Sequence, residues 1–294
     1  MSMPEPSQTI TGPVREPRNR ALHVTGSIHD DATASKLGFR GGTVAGSVHM
    51  DQFPPLLLEA FGPSWFETGT LSLYFKFATT DGEPVQAFLE RPPAGSTDAQ
   101  VRAWMTTPDG TLVAEGTASV GHPVQTTALF SRDMRPEDPS QLRILSALRP
   151  GDSLGDLHSS VNGASQRTVI SEGGITEPLD WYTGPSPWGG PVASPSRVVS
   201  LLYRDLLAKP KQEMGPHVGL FGAIEIRFFA GPVFTDQPYR VTGEVVALTD
   251  SPKTEGLWYD SHATDDDGQP VADMRMYHRQ LKASSPKYRD AVAS

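Results

Sequence analysis

Four side chains capable of proton transfer, His29, Asp31, His49 and Asp51, bracket one glycine-dense loop, Gly38-Phe39-Arg40-Gly41-Gly42-Thr43-Val44-Ala45-Gly46. Imidazole titrates near neutrality, so His29 is suited to take a proton from water and give it back. Asp31 lies two residues on and, in extended backbone, falls on the same side as His29, where a carboxylate orients an imidazole. Its alternative role is to cap a short helix through Ala32-Thr33-Ala34-Ser35. Gly46 opens an apolar segment, and the free N–H groups of a helix start stabilise an oxygen that gains negative charge. His49 and Asp51 fall within the first two turns after it and are alternative acid–base groups. The chemistry these types suit is proton transfer to or from water, beside an oxygen that becomes an oxyanion.

The elements that must position these residues occur twice. Gly41-Gly42-Thr43-Val44-Ala45-Gly46 returns as Gly189-Gly190-Pro191-Val192-Ala193-Ser194, a shift of 148 residues. Each copy leads into an apolar segment and then an alternating strand, Leu71–Phe75 in the first and Ile224–Phe228 in the second. Each closes on an Asp-Gly hairpin turn, at Asp109-Gly110 and Asp267-Gly268, a shift of 158. A fixed order with a drifting offset is the mark of a duplicated domain, and its length rules out a solenoid.

Within the first copy, Val48, Phe53, Leu56, Leu57 and Ala60 recur at helical spacing over Val44 to Phe61, with a break predicted at Pro54-Pro55. In the second copy, Trp188 to Leu207 reads as loop plus helix. The expected organisation is a flexible N-terminal tail over 1–20, a first domain over 21–122, a connector over 123–149, a second domain over 150–283 and a C-terminal tail over 284–294. A strand is expected around Arg167 to Ser171. Arg197 aligns with His49 under the 148 shift and either meets an anionic group of a ligand or lies on a solvated helix face. Trp188, with Trp181, Tyr182 and Phe221, is a candidate to line a pocket.

Composition narrows the field. With 37% hydrophobic and 20% charged residues the chain is globular rather than disordered. A formal net charge of −9 without a Lys/Arg stripe argues against nucleic-acid binding. No cysteine is present, which removes thiolate catalysis, disulfides and Cys-based metal sites. No apolar run reaches the roughly 18 residues of a membrane span, and the polar, Pro-rich Met1 to Arg20 is no signal peptide, so a cytoplasmic protein is expected.

Ser27-Ile28-His29-Asp30-Asp31, Gly38-Phe39-Arg40-Gly41 and Val44-Ala45-Gly46 together resemble the MaoC-like dehydratases, the group that contains the (R)-specific enoyl-CoA hydratases. His29 fits the motif histidine, Asp31 the acid two residues on, Gly38-Phe39 the G-F pair and Gly46 the helix glycine. The spacer is one residue short, the Asn-Pro pair is replaced, and Val24 stands where the family has the aspartate that works with the histidine. The resemblance implies an α+β tandem (double) hotdog fold, each unit a curled antiparallel sheet wrapped on one long helix. It implies addition or elimination of water on an acyl thioester, with His29 and Asp31 catalytic and Gly46 at the thioester oxygen; position and residue type add His49 as a catalytic candidate and Asp51, Trp188 and Arg197 as substrate-binding candidates. CoA would enter as part of the substrate, no separate cofactor or metal is implied, and a homodimer follows by analogy. A hotdog thioesterase using His49, Asp51 or Glu59, and a ligand-binding double hotdog without turnover, are the alternatives.

Overall fold

The computed structural model describes residues 8–121 and 127–289, and parts of both expected tails and of the connector lie outside them. Ten strands make one antiparallel sheet: β1 (Thr9–Arg15), β2 (Thr70–Phe75), β3 (Val85–Glu90), β4 (Ala99–Thr106), β5 (Leu112–Val120), β6 (Ser153–Ser160), β7 (Gly219–Phe228), β8 (Pro238–Asp250), β9 (Thr254–Thr264) and β10 (Pro270–Leu281). Their spatial order is β1-β3-β4-β5-β2-β7-β10-β9-β8-β6. Read outward from the middle, the two halves repeat the same sequence of elements, so the duplication holds in space. β2 and β7, the paired alternating strands of the repeat, join at the centre with Leu71 opposite Ile226 and Leu73 opposite Ile224. Both Asp-Gly turns close hairpins, β4–β5 and β9–β10.

The helices lie on one face. They are α1 (Asp31–Lys36), α2 (Gly46–Met50), α3 (Pro54–Phe61), α4 (Trp65–Thr68), α5 (Gly163–Ser171), α6 (Pro195–Tyr203), α7 (Ala208–Met214) and α8 (Pro286–Arg289). The main helix of the first half is interrupted between α2 and α3, because Pro54 and Pro55 lack N–H groups and are tolerated only in a first turn. The central helices α2 and α6 pack on each other, and one apolar core runs through both halves from Phe53 and Leu57 to Val198 and Leu202.

Four expectations change. Thr9 to Arg15, read as loose tail, is the edge strand β1 paired with β3. Pro13 hides it from pattern reading, but the proline sits at a bulge between Thr11 and Val14 on an edge, where a missing N–H costs no ladder bond. Arg167 to Ser171 belongs to helix α5 rather than a strand; Asn162 caps it by accepting from Ser165 N at 2.7 Å, and local capping overrides the β-branched run. The connector is no free loop: Leu142, Ile144, Leu145 and Leu148 enter the main core, while Leu129 covers Ala223 and Trp258 on the other sheet face. Under that cover Ser72, on the same face of β2, is fully buried. Beyond Ser284, α8 packs back through Tyr288, whose hydroxyl donates to Glu255.

Candidate active site

A cavity of about 620 Å³ opens between the halves. From the first half it is lined by the start of α2, the loop carrying His29, and Phe75 at the end of β2; from the second, by α6, the start of β7 and the end of β10. His29, Gly46, His49 and Arg197 all line it.

His29 is held by its backbone and by one ring nitrogen. Asn19 Nδ2 donates to the His29 carbonyl at 2.8 Å, and Gly42 passes so close that a Cβ there would stand 2.1 Å from the same oxygen. The ring Nδ1 lies 2.7 Å from the Thr43 carbonyl. A carbonyl only accepts, so Nδ1 carries the proton and Nε2 presents a lone pair. His29 Nε2 has no protein partner among the described residues.

The two helix starts differ in what they leave open. In the second half Pro195 has no N–H, Ser194 N donates to Gln166 Oε1 at 3.0 Å, and Ser196 N donates to Asp51 Oδ1 at 2.8 Å. In the first half no described acceptor takes the N–H of Gly46 or Ser47. α2 has only five residues, so these individual N–H groups, more than a macrodipole, are what the cavity is offered. A side chain at Gly46 would meet the Phe75 ring at 2.6 Å. Gly46→Ala is therefore expected to push Phe75 into the cavity, lowering ligand affinity about tenfold or more and stability by about 1–3 kcal/mol. Calorimetric titration and a denaturation curve measure the two effects.

His49 is buried, with Nε2 2.8 Å from Thr79 Oγ1 and Nδ1 without a partner. Burial pushes its pKa down to about 4, so at neutral pH it is uncharged. Arg197 donates to Ser165 Oγ at 2.5 Å, and burial, then repulsion from Arg204, lowers its pKa. All charged groups lining the cavity among the described residues are cationic: Arg20, Lys76, Arg197, Arg204, Lys253 and Arg279. Arg20 pairs with Glu172 and Lys76 with Glu115, so it is Arg197, Arg204, Lys253 and Arg279, which make no ion pair among the described residues, that give the cavity an excess of positive charge on a chain of net charge −9 and favour anions there.

Three candidates fall elsewhere. Asp31 does not line the cavity: its Oδ1 accepts from Gly42 N at 2.7 Å and anchors the glycine loop, while Asp30 caps α1. Trp188 donates its indole N–H to Glu67 Oε1 at 2.8 Å and packs edge-on to Trp181 with centroids 5.4 Å apart, away from the cavity. Asp51 is fully buried between α2 and α6, where its carboxylate satisfies the helix start of the second half. Sequence reading also missed Tyr203, His278 and the cations at Arg20, Arg204, Lys253 and Arg279; the topology, not a local motif, brings them together.

Burial pushes the Asp51 pKa up to about 6, against the hydrogen bonds from Ser196 and Ser194 that lower it. The folded protein thus binds a proton more readily than the unfolded chain, and this contribution to stability is full below about pH 4 and lost as pH rises through about 6. Asp51→Asn keeps an acceptor for Ser196 N and removes the buried charge. It is expected to raise stability at pH 7 by about 1–3 kcal/mol and to flatten the pH dependence between 4 and 6, as thermal melts across that range will record.

The same fold occurs in solved structures across nearly the whole chain. A MaoC domain protein from Chloroflexus aurantiacus J-10-fl, assigned as a dehydratase, matches over 93% of this chain and 94% of its own, with a TM-score of 0.63 and 14% identity. A hypothetical protein from Mycobacterium tuberculosis, described as having a double hotdog fold, matches over 93% and 96%, with a TM-score of 0.56 and 14% identity. The dehydratase domain of the polyketide PpsC from Mycobacterium tuberculosis matches over 95% and 96%, with a TM-score of 0.52 and 15% identity. No protein-family model and no curated protein matches the chain by sequence. The fold is a double hotdog. Among the described residues no helix is long and apolar enough to cross a membrane.

Proposed function

We propose that this protein binds an acyl thioester, with CoA as the carrier, between its two hotdog halves and adds water to, or eliminates it from, the acyl chain. The observation that carries this reading is the pairing in one cavity of His29, with its Nε2 lone pair free, and the unclaimed N–H groups at Gly46 and Ser47. In hydration, Nε2 takes a proton from water as the water oxygen bonds to the β-carbon. The electron pair of the double bond moves toward the thioester oxygen, which the Gly46 N–H stabilises, and the imidazolium then returns a proton to the α-carbon. No Asp or Glu lines the cavity among the described residues, so the proton transfers fall to imidazole; when His29 makes both, the two halves of water add to the same face. The cationic lining suits the phosphates of CoA.

Hydrolysis of the thioester is less well supported. Of its three candidate groups, Asp51 is engaged with α6 and Glu59 pairs with Arg91 at 2.7 Å on the surface, which leaves His49, whose Nε2 is taken up by Thr79 Oγ1. Ligand binding without turnover is the second reading, favoured by Val24, which is 46% exposed and stands in place of the family's aspartate. A panel of enoyl- and 3-hydroxyacyl-CoA esters separates the three. Change in enoyl absorbance is the expected result; release of free thiol, or saturable binding with neither signal, would overturn it.

A further inference from the structure

We propose that His278 of the second half reads an oxygen atom carried by the acyl group, a hydroxyl or an oxo group, by donating its Nε2–H to it. The proposal rests on the acyl-thioester reading of the cavity and adds to it a class of substrate: chains that are oxygenated, not plain hydrocarbon.

His278 is 5% exposed and lines the cavity from β10. Its Nδ1 lies 3.0 Å from Gln280 Nε2, and that same amide nitrogen lies 3.4 Å from the His278 carbonyl. A carbonyl cannot donate, so the amide nitrogen, not its oxygen, faces both atoms. The ring Nδ1 therefore accepts, and the proton sits on Nε2. Burial, with Lys211 and His217 nearby, pushes the pKa down to about 3, which keeps the ring neutral, and the Gln280 amide sets the tautomer.

The Nε2 edge has no protein partner among the described residues. It faces a notch that exists because residue 219 is glycine; a Cβ there would stand 2.7 Å from Nε2. Gly219 lines the same cavity. The ring is otherwise fixed by aromatic neighbours, with Tyr203 at 5.8 Å and Phe221 at 5.8 Å between centroids, and Tyr203 edge-on to Phe221 at 5.1 Å. A buried donor aimed into a ligand cavity and left unpaired there discriminates against ligands that cannot accept its bond.

The test is calorimetric binding of octanoyl-CoA against octanoyl-CoA esters bearing one oxo group at successive odd carbons. The wild-type protein is expected to bind one oxo position about tenfold more tightly than the plain chain. His278→Phe keeps the aromatic packing and removes the donor, so the affinity ratio should fall to about one. Gly219→Ala, which fills the notch while keeping His278, should abolish the ratio too and covers the case in which His278→Phe does not fold. A plain chain bound as well as every oxo chain, or a preference that survives in both variants, overturns the assignment to His278 alone. Octanoyl-CoA that does not bind at all overturns it together with the acyl-thioester reading.

Discussion

Turnover of an enoyl thioester is expected to fall roughly 10²–10⁴-fold when His29 is replaced by Asn, the range lost when a general base is removed. Asn is the informative substitution, because its Nδ2 occupies nearly the position of the imidazole Nδ1 and keeps the donation to the Thr43 carbonyl, 2.7 Å away in the native protein. The loop that carries the residue, tied by Asn19 to the His29 carbonyl and by Gly42 to Asp31, is untouched. What disappears is the lone pair at Nε2. Alanine removes the tether as well, so equal losses in the two variants place the effect in the lost base. A difference between them measures what the tether contributes. Steady-state kinetics on enoyl-CoA esters, with melting temperatures alongside, checks the expectation. Activity retained in the Asn variant would transfer the chemistry to His49, the other histidine that lines the cavity from the first half.

Acid lability follows from the same cavity. His49 and His278 are both buried with pKa values lowered, to about 4 and about 3, from an ordinary 6.5. A depressed folded-state pKa means stability that is complete above about 6.5 and is lost as pH falls toward the folded values. Asp51 acts in the opposite sense between about 6 and 4, but it is one group against two. The histidines therefore dominate, and unfolding should be promoted in mild acid.

The parts of the fold written in local pattern were legible in the sequence. Alternation at Leu71 to Phe75, the Asp-Gly turns and the prolines at 54 and 55 depend on a few neighbouring residues, and each specified its element. The duplicated order predicted two like domains, and the strand order repeats outward from the centre of the sheet. Polar side chains were harder to read, because their role depends on which distant backbone N–H reaches them first. Asp51 is claimed by Ser196 and Asp31 by Gly42, although both have the residue type and the neighbourhood of a catalytic acid. Trp188 is held by Glu67, 121 residues away in the chain. The difference between the two helix starts lies in one detail of the sequence, the Pro195 that follows Ser194 where the first half has Ser47 after Gly46. A proline cannot donate, so only the first copy can present consecutive free N–H groups.

The largest loss of stability is expected at a residue far from the proposed chemistry, Glu255. It is fully buried and its carboxylate accepts from the backbone N–H groups of Arg143 at 2.8 Å, Ile144 at 3.1 Å and Leu145 at 2.8 Å, and from the Tyr288 hydroxyl. One side chain on β9 thereby satisfies the end of the connector and docks α8. Glu255→Ala would leave several donors buried and unpaired, each costing about 1–3 kcal/mol. Because some will recover water, the expected total is about 3–5 kcal/mol, the loss typical of removing one partner from a buried charged network. Tyr288→Phe removes a single donor and should cost about 1 kcal/mol. Glu255→Gln should fall between them, since its amide keeps one acceptor oxygen but turns an N–H₂ toward donors. Urea unfolding curves give the three values directly. If alanine costs less than phenylalanine at 288, the carboxylate is not the anchor of the connector, and the buried leucines at 142, 145 and 148 hold it by packing alone.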